Sequence, residues 1–221
     1  MRAALISMFR TTPPSCLDRY FAQVAELPDD VHLIVVEGDS KDDTRERLQR
    51  HLSKAQRTSE LVVHEHGGRH YGQVIDPERF RQRAGCKNAG FEKVPQDAEV
   101  VIYVEGDLVW SAQDLLALAE QLRPGIDVIA PSVWAGPSFY DIWGFRDLTG
   151  RKFDSGPPYS PALNGERLTE LETAGSCLVM RGEVARSCRA SDDEEIVGFC
   201  KDARSKGFRV FTDWQTRIFH P

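Results

Sequence analysis

Nowhere in this chain do apolar residues run on for the roughly 20 positions that a membrane-crossing helix needs. The apolar run from Met1 to Met8, which stops at Arg10, is far shorter than a signal core with its cleavage site. Neither membrane insertion nor export is expected. Cysteine is scarce and scattered: Cys16, Cys86, Cys177, Cys188 and Cys200 are odd in number and include no CxxC pair. That fits neither a disulfide framework nor a zinc site, and points to reduced thiols in a cytoplasmic protein. Basic charge is short as well. With 28 basic against 34 acidic residues the net charge is −6, so no global field draws the chain to nucleic acid or to an anionic membrane. Internal repeats, low-complexity tracts and linkers are missing too. A chain of 221 residues, 41% of them hydrophobic, can bury roughly 70–75% of its unfolded surface around one core. One domain over 1–221 is expected.

What is present is an alternation. Ala3 to Phe9 is a short apolar run closed by Thr-Thr-Pro-Pro, and Ser15 to Leu27 carries apolar residues at helical spacing. His32 to Val36 repeats the strand signal, with cap-type residues from Ser40 to Thr44 before a charged helix from Arg45 to Ala55. Leu61 to Val63, Pro77 to Val94 and Val100 to Val104 continue as strand, helix and strand. Strands apolar on both faces, joined by helices, predict a buried and mostly parallel sheet. Ser111 caps a helix to Leu122, and Asp127 to Ala130 is a further strand. From Pro131 to Leu171 the pattern gives way to loops rich in Gly, Pro and aromatics, of the kind that line sites. Ser176 to Arg181 then reads as a strand, Asp193 to Lys206 as a helix ended by Gly207, and Arg209 to Thr212 as the last strand before a short tail.

The strongest chemical signal is Glu105-Gly106-Asp107, just past the strand Val100 to Val104. Ligands of an open α/β sheet collect beyond the carboxyl ends of its strands. Hard carboxylate oxygens there suit Mg²⁺ or Mn²⁺ bridging the two phosphates of a nucleotide diphosphate, where the ion assists a departing diphosphate as a Lewis acid. Glu-x-Asp alone is equally the pattern of a solvated turn. A second acidic run, Glu37-Gly38-Asp39-Ser40-Lys41-Asp42-Asp43-Thr44, follows the strand at His32 to Val36, and either Ser40 or Asp42 there also reads as an ordinary helix cap.

These runs resemble the inverting family-two glycosyltransferases of the GT-A type. Val36 to Thr44 is similar to that family's V-D-D-G-S-x-D-x-T run, with Gly38 and Asp39 exchanged, and Arg83-Ala84-Gly85-Cys86-Lys87-Asn88-Ala89-Gly90 resembles its a-R-N-x-g helix. Glu105 to Asp107 takes the D-x-D position, with glutamate for the first aspartate. The loop Phe139-Tyr140-Asp141-Ile142-Trp143-Gly144-Phe145-Arg146-Asp147 is similar to a segment of fungal capsular mannosyltransferases, and Thr173-Ala174-Gly175-Ser176 resembles the small-residue turn under the donor sugar. Asp192-Asp193-Glu194-Glu195 resembles the E-D helix start, and His220 matches a late histidine that completes the metal shell in several relatives.

The resemblance implies one GT-A domain, with a nucleotide-sugar half at 1–110 and an acceptor half at 111–221. A UDP- or GDP-sugar is expected to meet Arg10, Glu37, Asp39, Lys87, Glu105 and Gly106, with Glu37 receiving hydrogen bonds from the base. Lys87 either faces the donor phosphates or is solvated. Mn²⁺ or Mg²⁺ is expected on Asp107, His220 and Glu105, Asp107 being the more direct contact. Asp141, Trp143, Arg146 and Gly175 are expected at the acceptor, although Trp143 and Phe145 suit a core equally. Glu194 or Glu195 stands near the position of the general base, and an acidic helix start is favourable in any case through the helix dipole. The acceptor hydroxyl is left open among glycans, lipid-linked sugars, small metabolites and a hydroxylated nucleobase, DNA being disfavoured by charge. So is the choice between retention and inversion. A nucleotidyltransferase is the second enzymatic reading, although Met8 to Pro14 lacks its Gly-rich basic loop, and a non-catalytic carbohydrate-binding scaffold is the third. His64, His66 and His70 read as a loop near the nucleotide, since no fourth ligand accompanies them at zinc spacing.

Overall fold

Strands that are apolar on both faces need cover on both, and the chain supplies helices to each side. The computed structural model describes residues 2–72, 74–160 and 166–221. Strands β1 (Ala3–Phe9), β2 (His32–Glu37), β3 (Ser59–Val63) and β4 (Val100–Val104) alternate with helices α1 (Pro14–Ala25), α2 (Thr44–Leu52) and α3 (Pro77–Phe91). Side chains of a strand point alternately to opposite faces. Leu5, Leu33 and Ile102 therefore pack in one core layer with Leu17 and Tyr20 of α1 and Leu48 of α2. Ile6, Ile34 and Val101 lie in the other, with Ala84 and Phe91 of α3.

The second half adds α4 (Ala112–Ala119), β5 (Val128–Ala135), β6 (Ser138–Phe139), β7 (Leu168–Leu171), β8 (Cys177–Arg181), α5 (Gly182–Ser187), α6 (Ile196–Ser205) and β9 (Val210–Phe219). The sheet order is β3-β2-β1-β4-β8-β5-β9-β7, with β6 paired to β5. It is mostly parallel: β3, β2, β1, β4, β5 and β9 share one direction, while β8 and β7 run against them. Ser111 caps α4 by accepting the Asp114 N–H at 3.1 Å, as its sequence position predicts.

Several features depart from the sequence pattern: strand β5 runs on to Ala135, past the expected end at Ala130, and α2 and α3 stop three residues early, at Leu52 and Phe91. The last strand reaches Phe219 instead of ending at Thr212, because its second part is half-exposed and reads as tail. It crosses a register shift opposite Pro131 and Ser132. Helix α6 starts at Ile196, three residues late, because Ser191 and Glu195 exchange backbone hydrogen bonds and Glu195 sits at φ +52°, outside helical geometry. Helix α5 carries no clear apolar period and was not anticipated. Residues 161–165 of the aromatic loop region lie outside the described residues.

Candidate active site

Parallel register brings the carboxyl ends of β1, β2 and β4 to one edge, with Phe9 opposite Glu37 and Ile6 opposite Tyr103. The residues that follow, Arg10, Gly38 and Glu105, open a cavity of about 210 Å³ that Arg83, Gly106 and Asp107 also line. Gly106 is required by packing, since a Cβ there would stand 2.2 Å from the Phe9 ring. A second cavity of about 410 Å³ is lined by Arg79, Phe80, Tyr140, Asp141, Trp143, Gly175 and Glu195. Arg83, Glu105 and Asp107 border both. Residues of the first half contribute to both cavities.

The shared wall is an ion-pair network. Arg83 on α3 donates from Nη2 to Glu105 Oε1 at 2.7 Å and from Nε to Glu195 Oε2 at 2.6 Å. One turn on, Lys87 Nζ meets the same Glu195 oxygen at 2.9 Å. Lys87 is fully buried, so it is neither solvated nor turned to the first cavity as the sequence suggests. Burial alone would lower the Arg83 pKa, but Glu105 and Glu195 outweigh it and hold the guanidinium charged. Burial likewise pushes Glu195 up, yet Lys87 and Arg83 prevail and bring it down to about 2. Glu194 accepts from Arg146 Nη1 at 3.0 Å and from Lys201 Nζ at 2.5 Å, and these cations overcome burial to lower its pKa. Both expected bases therefore have their charge spent on cations. Arg146, expected to bind acceptor hydroxyls, is committed to Glu194.

Asp107 and His220 meet. His220 Nε2 lies 3.5 Å from Asp107 Oδ2, and its ring stacks on Tyr140 with centroids 4.1 Å apart. The juxtaposition follows from backbone pairing: Val109 and Phe219 exchange N–H to C=O bonds, and the His220 N–H donates to Trp134 O at 2.8 Å. Glu105, the third expected ligand, spends a carboxylate oxygen on Arg83. The Asp107 side chain is half-exposed and, with an imidazole beside it, presents the oxygen and nitrogen donors that Mn²⁺ or Mg²⁺ accepts together with water. The residues present fit such an ion.

Glu37, expected near the nucleotide base, lies at the end of β2. It is fully buried, with Oε1 accepting the Ser40 N–H at 2.6 Å and Oε2 accepting Arg45 Nε at 2.9 Å. It ties the turn after β2 to the start of α2, each oxygen already holding one hydrogen bond. Asp39, at φ +60°, turns toward the loop after β3, where its Oδ2 accepts the Gly67 N–H at 3.1 Å and lies 3.5 Å from His66 Nδ1. Asp39, His66 and His70 each bring a ligand atom within 4.8 Å of the others. Burial lowers the His66 pKa against the pull of Asp39, favouring the neutral ring. Arg10 does border the first cavity, and Nη1 and Nη2 donate to Gln82 Oε1 at 3.2 Å and to the Tyr71 carbonyl at 3.4 Å.

In the second cavity, Asp141 is buried, and its carboxylate accepts the Ser176 N–H at 2.8 Å and the Gly144 N–H at 3.3 Å. Desolvation, joined by the charge of Glu105, raises its pKa to about 7. Gly175 makes this possible: a Cβ there would stand 2.5 Å from Asp141 Oδ1. Its small size serves that carboxylate, where the sequence suggests room for a donor sugar. Trp143 is partly exposed on the cavity, with Lys152 Nζ 4.3 Å from its ring centroid, while Phe145 is core. Arg83 and Tyr140 were missed as site residues. The signal for Arg83 was its position one turn before Lys87 on the same helix face.

Comparison with known proteins gives the fold and the family. The succinoglycan biosynthesis protein ExoW of Rhizobium meliloti is 27% identical over 137 residues, which are 61% of this chain and 39% of that protein. Three solved structures superpose over 99% of the chain at low identity. The mannosyltransferase PcManGT from Pyrobaculum calidifontis, in complex with GDP-Man and Mn²⁺, gives a TM-score of 0.64 at 16% identity over 56% of its own chain. TarS of S. aureus gives 0.61 at 12% over 36% of its chain. Glucosyl-3-phosphoglycerate synthase from Mycobacterium tuberculosis, in complex with Mg²⁺ and uridine diphosphate, gives 0.55 at 11% over 71% of its chain. The chain thus spans about two fifths of the curated relative and just over half of the Pyrobaculum chain. The structural likenesses show the fold, GT-A. The pattern of the family described as cryptococcal mannosyltransferase 1 matches residues 7–179, more than half of the chain, and the chain belongs to that glycosyltransferase family.

Proposed function

We propose that this chain transfers a sugar from a UDP- or GDP-sugar to a hydroxyl acceptor, with Mn²⁺ or Mg²⁺ bound at Asp107 and His220. The observation that carries the reading is the common wall: Arg83, Glu105 and Asp107 border both a cavity at the carboxyl ends of β1, β2 and β4 and a larger one lined by aromatics. A donor in the first cavity and an acceptor in the second meet at that wall. Bound there, the ion would neutralise charge on the leaving diphosphate. Arg83, held charged and fixed by two carboxylates, adds a preorganised cation beside the same phosphates. Trp143 and Tyr140 offer aromatic faces to the C–H surface of sugar rings.

As the acceptor oxygen forms its bond to the anomeric carbon and the bond to diphosphate breaks, the hydroxyl proton needs a base. We assign that role to Asp141, whose carboxyl borders the second cavity and whose pKa of about 7 matches a working pH near neutral. Glu195 is assigned to positioning, since it anchors Arg83 and Lys87 together. The test is release of nucleoside diphosphate from a panel of UDP- and GDP-sugars with Mn²⁺. Release from one donor, reduced about 10²–10³-fold in Asp107→Ala, is the expected result. Absence of both release and donor binding would overturn the reading.

A further inference from the structure

We propose that Asp39, His66 and His70 form a second metal site, separate from Asp107 and His220, that takes a borderline-soft divalent ion of the zinc type. The three come from two neighbouring strand ends: Asp39 follows β2, the histidines follow β3, and those strands are parallel with Glu37 opposite Val63. The sheet therefore supplies the ligand that sequence spacing alone does not.

The geometry is close to that of a ligand set. His66 Nδ1 accepts the Gly68 N–H at 3.0 Å, so this nitrogen is the unprotonated one and an ion bound there takes the place of that hydrogen bond. The same atom lies 3.5 Å from Asp39 Oδ2. Two ligands on one tetrahedral zinc, with bonds of about 2.0–2.2 Å, stand about 3.4 Å apart. The His70 ligand atom lies within 4.8 Å of the other two, and a turn of its ring toward them brings three ligands onto one ion, with water in the fourth position.

A second, independent observation points to a ligand. The His66 side chain is only 8% exposed, and Nε2 of both His66 and His70 is buried without a hydrogen-bond partner. Buried polar atoms left unmatched are costly, about 1–3 kcal/mol each. An ion held through His70 Nε2 would match that atom, whereas His66 meets the ion through Nδ1 and its Nε2 gains nothing from it. Two imidazoles and one carboxylate suit Zn²⁺ and its relatives better than Mg²⁺, which prefers all-oxygen octahedral surroundings.

The consequence is local order at the donor cavity. Residues 64–72 hold no regular secondary structure, and their ties to the rest include Arg10 Nη2 to the Tyr71 carbonyl and Gln82 Nε2 to the Arg69 carbonyl at 3.2 Å. Arg10 and Gln82 line the first cavity. An ion on Asp39, His66 and His70 pins this loop to the end of β2 and fixes that wall.

The test is optical titration of metal-free protein with Co²⁺, which reports tetrahedral nitrogen and oxygen ligation through intense visible absorption and reports octahedral oxygen sites only weakly. Wild type is expected to take up one equivalent with intense absorption, displaced by Zn²⁺ and not by Mg²⁺. Asp107→Ala keeps that absorption, while His70→Gln and Asp39→Asn each weaken Co²⁺ binding at least about tenfold with unchanged circular dichroism. Should His70→Gln fail to fold, His66→Gln replaces it. Lack of intense absorption in wild type, equal absorption in the ligand variants, or its loss in Asp107→Ala would each overturn the proposal. The readout is independent of sugar transfer, so failure of the glycosyltransferase reading leaves it intact.

Discussion

Lys87 Nζ lies 2.9 Å from Glu195 Oε2, joining helix α3 to the start of α6 across 108 positions of sequence, with both side chains nearly inaccessible to solvent. A buried charge pair is weak evidence of net stabilisation, but removing one member leaves the other without compensation. Lys87→Met should therefore destabilise the fold by about 3 kcal/mol, read as a lower urea midpoint at unchanged slope. Arg83 retains its bond to Glu195 and limits the loss. A midpoint shift of a few tenths of a molar or less would mean that Arg83 alone neutralises Glu195.

The Asp141 carboxyl makes a pH prediction of definite sign. Its ordinary pKa of 3.8 rises to about 7 in the folded chain, so between those values the native state binds the proton and the unfolded state has released it. Stability from this group is present at low pH and declines as pH rises from about 4 to 7, by on the order of 4 kcal/mol. Asp141→Asn should flatten that decline. In transfer assays the same pKa should appear as an ascending limb in kcat/KM near pH 7, and Asp141→Asn should lose about 10²–10⁴-fold in kcat together with the limb. A limb that survives in Asp141→Asn would return the base to another carboxyl.

Gly175 is tied to that carboxyl by space. A methyl group at Gly175 would lie 2.5 Å from Asp141 Oδ1, and the same oxygen is 2.8 Å from where a Cβ on Gly144 would be. Gly175→Ala must push the carboxylate out of its two backbone N–H bonds, an overpacking cost of about 1–3 kcal/mol. The expected kinetic signature is a lowered kcat, through the displaced Asp141 carboxyl, and a raised acceptor KM with donor KM unchanged, because the first cavity does not include Gly175.

What the sequence made legible follows from how local each signal was. The carboxyl ends of β1, β2 and β4 were readable because each strand is a continuous apolar run followed by chemistry-bearing residues, and parallel register then gathers Arg10, Gly38 and Glu105. The fates of Glu37, Glu195 and Arg146 were not readable. Each is decided by a partner brought up in space: Arg45 from the next helix, Lys87 and Arg83 from α3, and Glu194 before α6. The antiparallel placement of β8 between β4 and β5 leaves no mark in a five-residue run that is buried on both faces. Asp39 with His66 and His70 was hidden for the same reason, since only the pairing of β2 with β3 makes them neighbours.

His220 tests whether the end of β9 belongs to the site. Its imidazole is held by stacking on Tyr140 and by the backbone bond to Trp134, so His220→Ala removes the ring while leaving the strand paired. With Asp107 still in place to hold an ion, the expected effect is a rise of about tenfold in the Mn²⁺ concentration needed for half-maximal release of nucleoside diphosphate, and a smaller change in kcat at saturating metal. His220→Asn keeps a donor atom near Asp107 and should recover part of the loss. Equal Mn²⁺ dependence in wild type and His220→Ala would leave Asp107 to hold the ion with water alone, and the 3.5 Å approach of His220 to Asp107 would then be a packing contact that does not extend to metal binding.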